Sequence, residues 1–152
     1  MKNLVVLLAG ILFIASCGKT DSPNKKTTKE IEIEKPWIRS AAAGMNTALF
    51  FNLINNTEFD DTLISVESDA AELIQIHETL KDENGMMRME EIGKVAVAKN
   101  DSVIFKPMGK HIMFIVLKND LMSGDSVLVK FNFTKSNQIV QKILVKDFMR
   151  KE

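Results

Sequence analysis

Each of the chain's two histidines, His77 and His111, has methionine close by in sequence. His77 is followed by Met86, Met87 and Met89, and His111 begins the run His111-Ile112-Met113. Residues two apart in an extended strand point to one face, so His111 and Met113 would project side by side, about 7 Å apart at their Cα atoms. A hairpin would place the other pair. If strand 77–80 turns through Lys81–Gly85 and returns along 86–89, Leu80 faces Met86 and His77 faces Met89, with directly opposed Cβ atoms about 5 Å apart. Met87 would lie on the same strand face as Met89, as a candidate auxiliary sulfur. Otherwise Met86, Met87, Met108, Met122 and Met149 read as core or surface filling.

Two imidazoles and two thioethers brought together would form a site with no formal charge at neutral pH. Thioether sulfur bonds well to Cu(I) and poorly to Mg, Ca or Mn, and imidazole accepts copper readily. The set therefore favours Cu(I), and its mimic Ag(I), over a hard cation or over Zn(II), which structural sites usually hold with thiolate, imidazole or carboxylate. Thioethers also form no disulfides, so such a site would persist in an oxidising compartment.

The elements that must position these residues read as strands. Thr47–Ile54, Thr62–Val66, Glu72–Leu80, Met86–Ile92, Lys94–Ala98, Ser102–Lys106, His111–Leu117, Ser126–Thr134 and Gln138–Val145 are short and rich in Val, Ile, Phe and Thr. Turn residues separate them, notably Asn55-Asn56, Asn84-Gly85, Asn100-Asp101, Pro107-Met108-Gly109 and Ser123-Gly124-Asp125. The one helical alternative is Asp69–Leu80, whose apolar residues fit neither period cleanly.

Upstream the composition changes. Lys2, an apolar run from Leu4 to Ala15 and the ending Ile14-Ala15-Ser16-Cys17 read as an export signal too short to span a bilayer. Its end resembles a bacterial lipobox, whose cysteine is lipidated and becomes the mature N-terminus. The expected organisation is a signal peptide at 1–16, lipidated Cys17 with a polar tether to residue 30, and one domain over 31–152. Each buried acyl methylene contributes about 0.8 kcal/mol, so membrane contact would come from the lipid. The 20 basic and 20 acidic residues balance, which argues against nucleic acid as a partner.

Met89-x21-His111-x-Met113 preceded by His77 resembles the signature of the periplasmic copper chaperones called PCuAC. Pro36-Trp37-Ile38-Arg39, Gly44-Met45 with Ala48 and Phe50, His77-Glu78-Thr79, Met87-Arg88-Met89, Lys106-Pro107-x-Gly109 and Leu117-Lys118-x-x-Leu121-x-x-Gly124-Asp125-x-Val127 are similar to that family in order and spacing. The similarity covers about residues 31 to 146. One departure is an extra residue between His77 and Met89, which the hairpin register assigns to the turn. The resemblance implies an all-β, cupredoxin-like Greek-key sandwich or barrel, with one Cu(I) near a rim, held by His77, Met89, His111 and Met113. It also implies delivery towards the dinuclear copper centre of cytochrome c oxidase, with a Sco-type protein or an oxidase subunit as partner.

With its single cysteine assigned to lipid, the chain has no thiolate for a blue-copper centre, and it lacks the cysteine pair of attached haem. No serine or cysteine nucleophile sits in a recognisable motif, so a carrier is expected rather than an enzyme. The competing reading is a lipid-anchored adhesion or assembly module of the cell envelope with no metal. Trp37 and Arg39 could line a partner surface, though a tryptophan beside the first strand of a sandwich commonly anchors the core.

Overall fold

A computed structural model describes residues 29–148. Its strands are β1 (Ile31–Arg39), β2 (Thr47–Asn55), β3 (Asp61–Glu67), β4 (Ala71–Lys81), β5 (Met87–Glu91), β6 (Val95–Val97), β7 (Asp101–Phe105), β8 (Lys110–Leu117), β9 (Ser126–Phe133) and β10 (Ile139–Lys146), with no helix among the described residues. The nine expected strands are all present, each within two residues of its expected bounds. The helical alternative over Asp69–Leu80 is overturned: β4 is a strand hydrogen-bonded to β5 on one side and β8 on the other.

Hydrogen-bonded neighbours run β5-β4-β8-β7-β2-β1 and then, through a parallel β1–β10 contact at Ile38↔Val145, β10-β9-β3-β6. Strand β2 is shared along its length. Its start pairs β8 through Ala48↔Met113 and Leu49↔Ile112, and its end pairs β7 through Phe51↔Phe105. Strands distant in sequence pair within each sheet, as β4 does with β8 and β3 with β9, because the chain crosses between the sheets at β3–β4 and β8–β9 in the manner of a sandwich.

The core joins the two halves through aromatic packing. Phe51 on β2 stacks on Phe105 with centroids 4.2 Å apart and meets Phe131 of β9 edge-on at 5.2 Å. Leu49, Leu53, Ile112, Phe114, Val129 and Ile143 are fully buried around them. Alternation then sends Ala48, Phe50, His111 and Met113 to the opposite face of the first sheet.

β1 was not among the expected strands because Pro36 interrupts its run, and proline is confined to strand edges and bulges. The structure places a β-bulge there: the register with β2 shifts between Glu34 and Trp37, and Lys35 takes a φ of 50°. Before the bulge Ile33 pairs with core-facing Leu53, and after it Ile38 pairs with Leu49. The extra residue thus moves the inward position from odd to even numbers and turns Trp37 to the outer face, opposite Phe50.

Replacing Phe51 with alanine removes a ring that spans both sheets and should cost about 3–5 kcal/mol. Chemical unfolding should show a lower midpoint with an unchanged slope.

Candidate metal centre

The site rests on a row of rings crossing the outer face of the first sheet. Trp37 of β1 lies 4.8 Å from Phe50 of β2, Phe50 lies 6.4 Å from His111 of β8, and His111 lies 5.8 Å from His77 of β4. Strand pairing dictates the last contact, since His77 and His111 are direct partners in the β4–β8 ladder. The adjacent pair Gln75↔Met113 puts the Met113 thioether one step along the same face. Phe50 and Ala48 are buried beneath this layer, and His111 retains only 4% of its exposure.

Hydrogen bonds fix how each imidazole presents its lone pair. His111 Nδ1 lies 2.9 Å from the Gly109 carbonyl, which can only accept, so Nδ1 donates and Nε2 keeps a lone pair. His77 is set by a longer chain. The Gln75 amide nitrogen donates to Glu91 Oε2 at 2.7 Å, turning Gln75 Oε1 towards His77 Nε2 at 3.0 Å. Nε2 must then donate, and His77 Nδ1 is left as a buried acceptor with no hydrogen-bond partner. A buried polar atom without a partner costs on the order of 1–3 kcal/mol, and a bound cation would recover that cost.

Burial is the first cause that lowers the His77 pKa from its ordinary 6.5, neighbouring His111 lowers it further, and Glu91 opposes both. The ring is therefore neutral, and able to ligate, at neutral pH.

The hairpin departs from its expected register. His77 faces Glu91 and Met89 faces Thr79, not each other. The turn is tighter than Lys81–Gly85. Asp82 and Met86 close it, with the Asp82 amide donating to the Met86 carbonyl at 2.9 Å and Asp82 Oδ1 accepting from the Asn84 and Met86 amides. Gly85, at a φ of 82°, supplies the left-handed residue that a three-residue loop needs. The shift amounts to two residues, so it preserves the strand face. Met89 stands diagonal to His77, about 7–8 Å away along the ladder and within reach of a long side chain.

A cavity of about 330 Å³ opens on this face, with Met89, His111 and Met113 in its wall together with Met87, Met108, Thr79, Phe50 and Arg39. Three of the four expected ligands thus line one space. His77 stands behind His111, reaching the site through the ring contact and not as a wall residue. Cys17 lies outside the described residues. Among the described residues, no group of three His, Cys, Asp or Glu could hold a metal, so the convergent donors are nitrogen and thioether sulfur.

Sequence reasoning missed three contributors. Gln75 and Glu91 orient His77; Gln75 shares its strand face by simple alternation, but Glu91 becomes its neighbour only in the true hairpin register. Met108 enters the wall from the Pro107-Met108-Gly109 turn, where no periodicity could signal it.

These contacts predict the titration of His77, to be followed by NMR of its ring. Its midpoint should lie below 6.5. His111→Ala should raise it and Glu91→Gln should lower it further; an unchanged midpoint in both variants would show that neither neighbour acts on the ring.

The family described as "Putative lipoprotein LpqE-like" matches residues 31–145. A protein of Rickettsia prowazekii is 30% identical over 120 residues, covering 76% of this chain and 66% of that one, so the chain spans just under two thirds of that relative's length. A Leifsonia xyli subsp. xyli protein, whose name also contains the word lipoprotein, is 29% identical over 124 residues, covering 81% of this chain and 74% of its own. Among solved structures, a copper-bound PCuAC domain from PmoF2 superposes with a TM-score of 0.64 at 21% identity, over 78% of this chain and 93% of the domain. The Cu(I) form of DR1885 from Deinococcus radiodurans does so with 0.61 at 18% identity, over 84% and 87%. The chain belongs to the LpqE-like family and has the fold of the PCuAC domains.

Proposed function

We propose that the chain is a copper(I) carrier of the bacterial cell envelope that holds one ion with His77, Met89, His111 and Met113 and passes it to another protein. The observation that carries this reading is the imidazole pair, His111 buried and His77 half-buried. Each ring has one nitrogen committed to a hydrogen bond and the other unspent, beside thioethers that line the same cavity. Such neutral, soft donors suit Cu(I), and the copper-bound state named for two proteins of the same fold agrees with it.

Transport, not catalysis, fits the donor set. Four uncharged ligands can accept and release a monovalent ion by exchanging one thioether at a time, with no change of oxidation state. In the cell the reading extends to lipid attachment at Cys17 and to delivery towards the copper centre of cytochrome c oxidase, directly or through a Sco-type protein. The lipoprotein description of the family supports the anchor.

Competition against a colorimetric Cu(I) chelator tests the site. The parent should bind about one tight equivalent, and alanine at His77, Met89, His111 or Met113 should each weaken it by about tenfold or more, about 1.4 kcal/mol. Zn(II) should bind weakly. Protons compete only for the imidazoles. Because the His77 pKa is lowered, its contribution should persist below pH 6.5 and disappear only in more acid solution. Four alanine variants that hold copper as tightly as the parent would sink the site, and a parent that binds none would favour an assembly module.

The anchor has its own test. Mass spectrometry of the membrane fraction should find an acylated N-terminus at Cys17, and Cys17→Ser should release the protein without altering copper affinity. An N-terminus upstream of Cys17 would refute the assignment. Loss of copper from the oxidase after deletion of the gene would support delivery; normal oxidase copper would refute it.

A further inference from the structure

We propose that the mouth of the cavity contains a second, weaker Cu(I) subsite made by the thioethers of Met87 and Met108, through which the ion enters and leaves the inner set. The proposal rests on the copper-carrier reading and adds a route to it. Both side chains line the same cavity as Met89, His111 and Met113, and the exposure falls inward: Met87 at 48%, Met89 at 59% and Met108 at 68% are exposed, Met113 is half-buried and His111 is buried. Neither Met87 nor Met108 belongs to the hydrophobic core, so filling a gap in packing does not account for them.

Their positions follow from the two elements that also hold inner ligands. Met87 is two residues from Met89 on β5 and therefore shares its face, one step nearer the hairpin tip. Met108 sits between Pro107 and Gly109 with a φ of 63°, a conformation that a non-glycine residue adopts at a cost. The same turn fixes the inner site, because the Gly109 carbonyl accepts from His111 Nδ1 and from the Thr79 amide. Thr79 in turn pairs with Met89. Met89 and Gly109 thus flank one residue of β4, two strand spacings or about 10 Å apart, and methionine side chains rooted beside each can close that gap.

The chemistry separates this subsite from the inner one. Two thioethers without imidazole hold Cu(I) less firmly than a mixed set, and among the described residues no carboxylate lines the cavity to add attraction. Arg39, the one charged residue of the wall among the described residues, repels a cation and shortens its stay. Transfer inward is ligand exchange: a bond from copper to Met87 or Met108 sulfur breaks as one to Met89 or Met113 forms. The ion remains Cu(I) throughout, and no electron or proton is required.

Silver(I), which is redox-silent, tests this on the full chain carrying 13C-labelled methionine methyls, with native mass spectrometry for stoichiometry. The first equivalent should shift the Met89 and Met113 methyls. A second, weaker equivalent should shift those of Met87 and Met108, giving about two ions per chain at excess silver. The double variant Met87→Leu/Met108→Leu, which conserves volume at exposed positions, should bind one equivalent with parent affinity and surrender it to a chelator several-fold more slowly. Several outcomes overturn the proposal: Met87 and Met108 methyls that stay still, a double variant that also loses the first equivalent, or one with parental exchange. A parent that takes up no silver at all overturns the carrier reading as well, which keeps the two failures apart.

Discussion

The pairing of His77 with His111 across the β4–β8 ladder is the constraint on which the site depends. Strands so paired cannot slide by one residue without sending every side chain to the other face. Here the inward residues Ile76, Ile112 and Phe114 are buried, so the packed core itself enforces the register that brings the two imidazoles together. The aromatic row from Trp37 through Phe50 then packs against His111, and the bulge at Lys35-Pro36 puts Trp37 into that row. Core and site are two faces of one sheet.

Much of this was legible in the sequence because strand alternation is a local rule. His111 and Met113 share a face whatever β8 pairs with, and the strong β-formers around them mark the strand. The hairpin register was less legible. His77 and Met89 were correctly assigned to one face, but their direct opposition was wrong by two residues, since the Asp82 side chain and Gly85 close a shorter loop than spacing alone suggested. Counting residues fixes the parity of a hairpin; the chemistry of the turn fixes its length.

What could not be read from the sequence depends on contacts between distant segments. Pro36 hid β1, because a proline that ends an ordinary strand is accommodated here by a bulge. The orientation of His77 follows from a chain through Gln75 to Glu91, residues 16 apart that meet only once β5 has folded back. No periodicity announces such a chain. Its effect is nonetheless large, since it decides which nitrogen of a half-buried ring carries the proton.

The hairpin strand β5 has a further consequence. It is five residues long, it pairs with β4 alone at the edge of its sheet, and none of its residues belongs to the buried core. Its opening free energy is therefore set by a few exposed hydrogen bonds, far below that of global unfolding. His111 and Met113 lie instead on β8, flanked by Ile112 and Phe114, which are fully buried. The face thus combines a rigid half with a half that can fray, and a side chain carried on β5 can come and go on the timescale of local breathing while the sandwich stays closed.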